Sequence, residues 1–150
     1  GITPEAKLNP NMRASERYEV EADEIKEVCE ELNDHDVDPD LIFIGCPHSS
    51  IRELIIFLEL LKDRAVKKKT WIFTSRATRD LGERLGVVEK LESLGVEVVC
   101  DTCPIVAPIR ELGVRSIATN SAKGAWFSRN LNGLKIRFMP IERLVELAVK

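Results

Sequence analysis

Short apolar runs alternate along this chain with amphipathic segments of ten or more residues, and that alternation constrains the fold more than any other feature. The runs are LIFI (41–44), TWIFTS (70–75), VEVVC (96–100), VRSIATNS (114–121) and LKIRFMP (134–140). Strands this short, separated by helices and short loops, bury both faces only as a parallel sheet with helices on either side. The expected class is therefore α/β: a mostly parallel sheet of about five strands in a three-layer α/β/α arrangement. The first strand is expected to stop at Gly45 and Pro47. In VEADEIKEVCEELND, Ile25, Val28, Cys29 and Leu32 recur at helical spacing, which predicts a helix with Cys29 as a small buried hydrophobe in its apolar stripe. SSIRELIIFLELLKD starts with Ser49 or Ser50 as N-cap and Glu53 placed for a capping box, predicting a helix over about 50–63. RATRDLGERLGVVEKLESLG reads as one interrupted or two short helices with stops at Gly86 and Gly95. AKGAWFSRNL and IERLVELAVK supply the last two helices. Residues 1–18 show no periodicity and read as an arm or linker; residues 19–150 read as a single α/β domain.

The composition supports a globular protein with an aliphatic core: 44% hydrophobic, 31% charged and 5% aromatic residues in 150. A domain of this size buries roughly 68–70% of the surface its unfolded chain exposes. The net charge of −3 gives no general reason to bind nucleic acid, and Lys67-Lys68-Lys69 reads as a solvated loop. The apolar run Leu54–Leu61 contains Glu59 and falls far short of the ~20 residues that span a bilayer, so no membrane association is expected. No basic segment followed by an apolar stretch opens the sequence, which reads as a cytoplasmic protein. There, cysteines 29, 46, 100 and 103 are expected as free thiols or metal ligands rather than disulfides.

Chemistry-bearing residues fall directly after the strands: Gly45-Cys46-Pro47-His48-Ser49-Ser50, Thr74-Ser75-Arg76, Asp101-Thr102-Cys103-Pro104 and Thr119-Asn120-Ser121-Ala122-Lys123. Taken singly, the serines could be N-caps, Asp101 a turn cap, Asn120 a loop hydrogen-bonder and His48 a loop histidine. Capping alone requires no cysteine, and open α/β sheets bind ligands at the carboxyl ends of their strands, so the rim reads as a site. Cys100-Asp101-Thr102-Cys103 admits three readings: a redox dithiol, half of a zinc site, or a mouth where one thiol acts. Strand alternation places Cys100 with Val96 and Val98, as the last core residue, and Cys103 in the loop beyond. Asp101 between the thiols opposes thiolate formation, and a thiol oxidoreductase ranks last. Zinc would draw its second pair from Cys46 and His48, at a poor chelate spacing. Cys46 with Cys103, one from each loop, suits iron–sulfur ligation, with a third ligand coming from elsewhere.

The phrases GITPEA, GCPHSSIREL, TSRATRDLGERLG, VVCDTCPIVAP, ATNSAKGAWF and NGLKIRF, in this order, resemble the carboxyl-terminal portion of the aconitase X large subunit. The resemblance implies an aconitase-like domain that is a fragment of a larger subunit. It also implies a hydro-lyase in which an iron–sulfur cluster, [4Fe–4S] ahead of [2Fe–2S], acts as Lewis acid on a substrate hydroxyl. Members of the family dehydrate (R)-5-phosphomevalonate to trans-anhydromevalonate 5-phosphate, or cis-3-hydroxy-L-proline. By position, Cys46 and Cys103 are implied as two cluster ligands. A third is expected from an amino-terminal segment of the large subunit, and a catalytic serine from a small swivelling-domain subunit, so the chain alone is not expected to be competent. On a small phosphorylated hydroxy acid, Arg76 and Lys123 are expected to meet the anionic groups. Ser49, Ser75, Asn120 and Ser121 are expected to orient the substrate, and His48 to donate a hydrogen bond or assist proton transfer. With Ser75 and Arg76, His48 forms the expected catalytic group.

Overall fold

Alternating burial along the apolar runs builds two cores, one on each face of a sheet. The computed structural model describes residues 3–11 and 13–150, so Gly1, Ile2 and Met12 of the expected arm lie outside it. The strands are β1 (Leu41–Ser49), β2 (Thr70–Thr74), β3 (Val96–Cys100), β4 (Ser116–Thr119) and β5 (Lys135–Phe138). Their spatial order is β3-β2-β1-β4-β5, and every neighbouring pair is parallel. The helices are α1 (Pro4–Leu8), α2 (Ala22–Glu31), α3 (Ile51–Leu61), α4 (Arg76–Arg84), α5 (Val87–Ser93), α6 (Ala122–Asn132) and α7 (Ile141–Ala148). Ile42, Ile44, Ile72, Val96 and Val98 pack on one face against Phe57 of α3, Leu91 of α5 and Leu144 of α7. Leu41, Phe43, Trp71, Phe73, Ile117 and Ile136 point the other way, onto Ala125 of α6 and onto Ile109 and Val114 of the long β3–β4 connection. None of the helices among the described residues is long and apolar enough to cross a membrane.

Local chemistry explains the helix boundaries. Ser50 caps α3 through a reciprocal capping box: the Glu53 N–H donates to Ser50 Oγ at 3.3 Å and the Ser50 N–H to Glu53 Oε2 at 2.8 Å. The 76–95 segment forms two helices, because Gly86 adopts φ +71° between α4 and α5. The arm contains one short helix, α1, with no buried residue.

Three expectations are corrected. β1 does not end at Gly45: after a register shift between Ile44 and Ser49 it pairs again with β2, where Thr74 Oγ1 donates to the Ser49 carbonyl at 2.6 Å. Gly45, at φ +100°, takes up the irregularity that lets the strand resume. Cys29 is not in the core, because α2 buries none of its residues and only its C-cap, Leu32, reaches the sheet. Cys100 is half-buried rather than a core residue, since β3 is an edge strand whose last residue lies where the chain turns out at Asp101, φ +56°.

The other edge strand, β5, is blunted by the segment after α2. Asp34 accepts from the Ile136 N–H at 2.7 Å and from Arg129 at 2.8 Å, and Asn33 accepts from the Phe138 N–H at 3.2 Å. Burial pushes the Asp34 carboxyl up, but these donors outweigh it and hold it below the ordinary value. Asp40 is also lowered, chiefly by the Arg115 N–H at 2.8 Å, with the Ser116 N–H and hydroxyl adding to it. Because both folded values lie below the unfolded ones, this stabilisation is complete above about pH 4 and is lost as pH falls through the folded values. Urea midpoints are expected to drop on acidification below about pH 4. Asp34→Ala is expected to cost about 1–2 kcal/mol at pH 7, discounted for partial exposure, and to flatten the acid slope. An unchanged slope in that variant would assign the acid sensitivity to other carboxylates.

Candidate active site

The strand order places a crevice before any side chain is considered. From β1 the chain leaves towards α3 on one face, and from β4 towards α6 on the other, so the two connections diverge at the carboxyl ends of adjacent strands. Open α/β sheets bind their ligands at such a switch point. A cleft of about 180 Å³ opens there, lined by Gly45, Cys46, Pro47, His48, Glu53, Asn120 and Ser121. A larger groove of about 400 Å³ beside α7, lined in part by Arg137, Arg143 and Glu146, holds none of the thiols. Of the two, the smaller is the one lined by a thiol, that of Cys46, beside His48 and Ser121.

Cys46 is 8% exposed, and the Cys46–Pro47 peptide is cis. Burial pushes its thiol up, the Lys123 cation opposes that shift, the Cys103 thiol adds to it, and the Ser121 hydroxyl draws it down. Ser121 donates to the Cys46 carbonyl, and both residues line the cleft with His48 and Asn120. Cys100 is also pushed up, mainly by burial; the charges acting on it belong to Arg79, Asp101, Arg76 and Asp80, on the β3–α4 side. The Cys103 loop is tied to the β1 connection that carries Cys46, through the His48–Thr102 contact.

Two tethers hold the loop that carries Cys103. The His48 ring Nε2 donates to the Thr102 carbonyl at 2.9 Å, joining the β1 and β3 connections. Asp101 accepts from Arg76 through Nε at 2.8 Å, through a second guanidinium nitrogen, and through the Arg76 backbone N–H at 3.3 Å. Asp101 as the partner of Arg76 was not foreseen. The strand register explains it: Thr74 and Cys100 are paired across β2 and β3, Asp101 follows Cys100 directly, and Arg76 lies two residues past Thr74.

The remaining predicted residues divide by environment. Ser121 caps α6, accepting from the Gly124 N–H at 2.9 Å, and donates to the Cys46 carbonyl. Ser75 caps α4, accepting from the Thr78 N–H at 3.2 Å. Asn120 lines the cleft. Lys123 is exposed, and no carboxylate among the described residues pairs with it, whereas Arg76 is engaged by Asp101. Ser49 lies beneath the rim, 2% exposed, its Oγ without a hydrogen-bond partner. No three His, Cys, Asp or Glu side chains among the described residues are grouped to hold a metal ion, so the four-residue zinc arrangement is not assembled.

Residues 39–150 match the family model of the aconitase X third domain. The chain belongs to the aconitase X family. It is 37% identical over 131 residues to the phosphomevalonate dehydratase large subunit of Methanocaldococcus jannaschii, covering 87% of this chain and 32% of that protein. With the Methanosarcina mazei large subunit it shares 36% identity over 149 residues, 99% of this chain and 36% of the relative. The cis-3-hydroxy-L-proline dehydratase of Hypocrea jecorina is 37% identical over 158 aligned residues, 99% of this chain and 26% of that enzyme. The holo-form crystal structure of Thermococcus kodakaraensis aconitase X superposes with a TM-score of 0.80 at 35% identity, covering 90% of this chain and 36% of that one. The chain thus spans about a third of the length of the archaeal relatives it matches. Membership implies an iron–sulfur centre, and the donor set fits a share of one: two soft thiols from separate loops, with no third ligand grouped beside them among the described residues.

Proposed function

We propose that this chain is the third domain of a hydro-lyase large subunit, and that the assembled enzyme dehydrates (R)-5-phosphomevalonate to trans-anhydromevalonate 5-phosphate. The observation that carries the proposal is the cleft at the β1–β4 switch point, lined by Cys46, His48, Asn120 and Ser121, with the Cys103 loop held alongside by the His48–Thr102 hydrogen bond. Cys46 and Cys103 hold part of an iron–sulfur cluster, [4Fe–4S] ahead of [2Fe–2S]. Once bound, such a centre supplies Lewis acidity to a leaving hydroxyl. Lys123, without a carboxylate partner among the described residues and second in a helix capped by Ser121, meets the phosphate. Asn120 and Ser121 orient the substrate from the cleft wall. His48 fixes the Cys103 loop through Nε2–H and leaves Nδ1 as the ring's remaining proton acceptor. Arg76, aligned by Asp101, and Ser75 flank the β2 side of the rim, and Ser49 supports Gly45 from below. The missing ligand comes from the rest of the large subunit and the catalytic serine from the small swivelling-domain subunit, which the relatives' designation as large subunits supports. The location read is cytoplasmic.

The relative from Hypocrea jecorina makes cis-3-hydroxy-L-proline the second substrate to test. The full-length large subunit with its small partner, reconstituted anaerobically with iron and sulfide, is expected to dehydrate 5-phosphomevalonate and not the hydroxyproline. Lys123→Ala is expected to raise KM for the phosphorylated substrate about tenfold, an energy of about 1.4 kcal/mol, with an unchanged cluster spectrum. Turnover of the hydroxyproline alone would move the assignment to the other branch. No turnover of either with the cluster intact would remove both.

A further inference from the structure

Helix α2 carries an apolar face that the described residues leave uncovered. Ile25 and Val28, one turn apart, are 55% and 51% exposed. With Tyr18, Val20 and Ala122 they help line a groove of about 390 Å³ whose walls are mostly apolar. The helix start is fixed locally, since the Glu21 N–H donates to Glu24 Oε2 at 2.7 Å. A ten-residue helix is nevertheless marginal without tertiary packing, and here only its C-cap Leu32 reaches the core. An apolar stripe of helical spacing on a capped helix calls for an occupant.

Two observations indicate which one. The third-domain match begins at residue 39, so α2 and the segment before it precede that domain. The similarity to the Methanosarcina mazei large subunit covers 99% of this chain, so the α2 region is retained in a protein of which this chain is only 36%. The groove also borders the candidate cleft, because Ala122 lines the one and its chain neighbour Ser121 the other. We propose that the Ile25–Val28 face of α2 seats the preceding domain of the same polypeptide, and that this docking brings that domain to the border of the Cys46 cleft. The inference rests on family membership and on exposure, and it holds whichever substrate the enzyme uses.

Cys29, half-exposed in the same groove, is a built-in probe. The test is iodoacetamide alkylation of the native full-length large subunit without its small partner, read at Cys29 by mass spectrometry. Wild-type Cys29 is expected to react about tenfold or more slowly than in the same subunit carrying Val28→Asp, because alkylation follows thiol access. Val28 is already half-exposed, so the variant is expected to keep its secondary structure by circular dichroism. The wild-type measurement needs no variant: a Cys29 that alkylates as fast in the native subunit as in urea overturns the proposal. So does protection that appears only when the small subunit is added, or protection that vanishes on dilution, which would assign the face to that partner or to a second copy.

Discussion

Cys103→Ala in the assembled full-length enzyme is expected to lose the iron–sulfur absorption and to lower turnover by about 10³-fold or more, because Lewis-acid assistance is worth several kcal/mol and each 1.36 kcal/mol is tenfold in rate. Cys46→Ala is expected to do the same, whereas Cys100→Ala is expected to keep both iron content and activity. The contrast follows from placement. Cys46 lines the cleft and the Cys103 loop is tied to its connection through His48–Thr102, while Cys100 ends edge strand β3 next to the Arg76–Asp101 pair. Iron and sulfide stoichiometry after anaerobic reconstitution is the decisive reading, since it separates a lost ligand from a lost step. A Cys103→Ala protein with a full cluster complement would remove Cys103 from the ligand set, and loss of the cluster in Cys100→Ala would return the C-x-x-C pair to consideration.

Gly45→Ala is expected to be the most damaging small substitution in the chain. At φ +100° any side chain is strained, and a Cβ there would lie 2.1 Å from the Phe73 carbonyl oxygen and 2.9 Å from Ser49 Oγ. Phe73 is held in the middle of β2 and is 1% exposed, so its carbonyl cannot retreat without breaking the ladder. Backbone strain and overpacking each cost roughly 1–3 kcal/mol, which predicts a loss of about 2–5 kcal/mol and a Tm fall of about 10 °C. Gly86→Ala is the control: its φ of +71° is also left-handed, but nothing lies within 4 Å of the added Cβ, and a cost of about 1 kcal/mol is expected. Equal melting temperatures for the two variants would show that the close approach at Gly45 relaxes freely. Displacement of Cys46, the next residue, is expected to make Gly45→Ala poor at holding the cluster as well.

Much of the architecture was legible because its signals are local. LIFI, TWIFT and VEVVC are strands because their side chains must bury alternately on two faces, and Ser50, Ser75 and Ser121 cap the helices that follow for reasons contained within four residues. Period alone misled where burial depends on a distant partner. The stripe Ile25–Val28–Cys29 has the spacing of a core helix, yet α2 meets the sheet only at its end, through Leu32 and the Asp34–Arg129 contact. Cys100 has the parity of a core residue, but an edge strand has no neighbour to cover its last position.

By itself the sequence determined that the chain is α/β, where its strands and caps fall, and that thiols, hydroxyls and cations gather at one end of the strands; all of these follow from spacing along the backbone. Only the tertiary structure decided the strand order, and with it the crevice between β1 and β4, the tie of the Cys103 loop to His48, and the engagement of Arg76 by Asp101. Those depend on which loops become neighbours in space. Neighbourhood in a parallel sheet is set by the packing of its two faces against helices and not by distance along the chain.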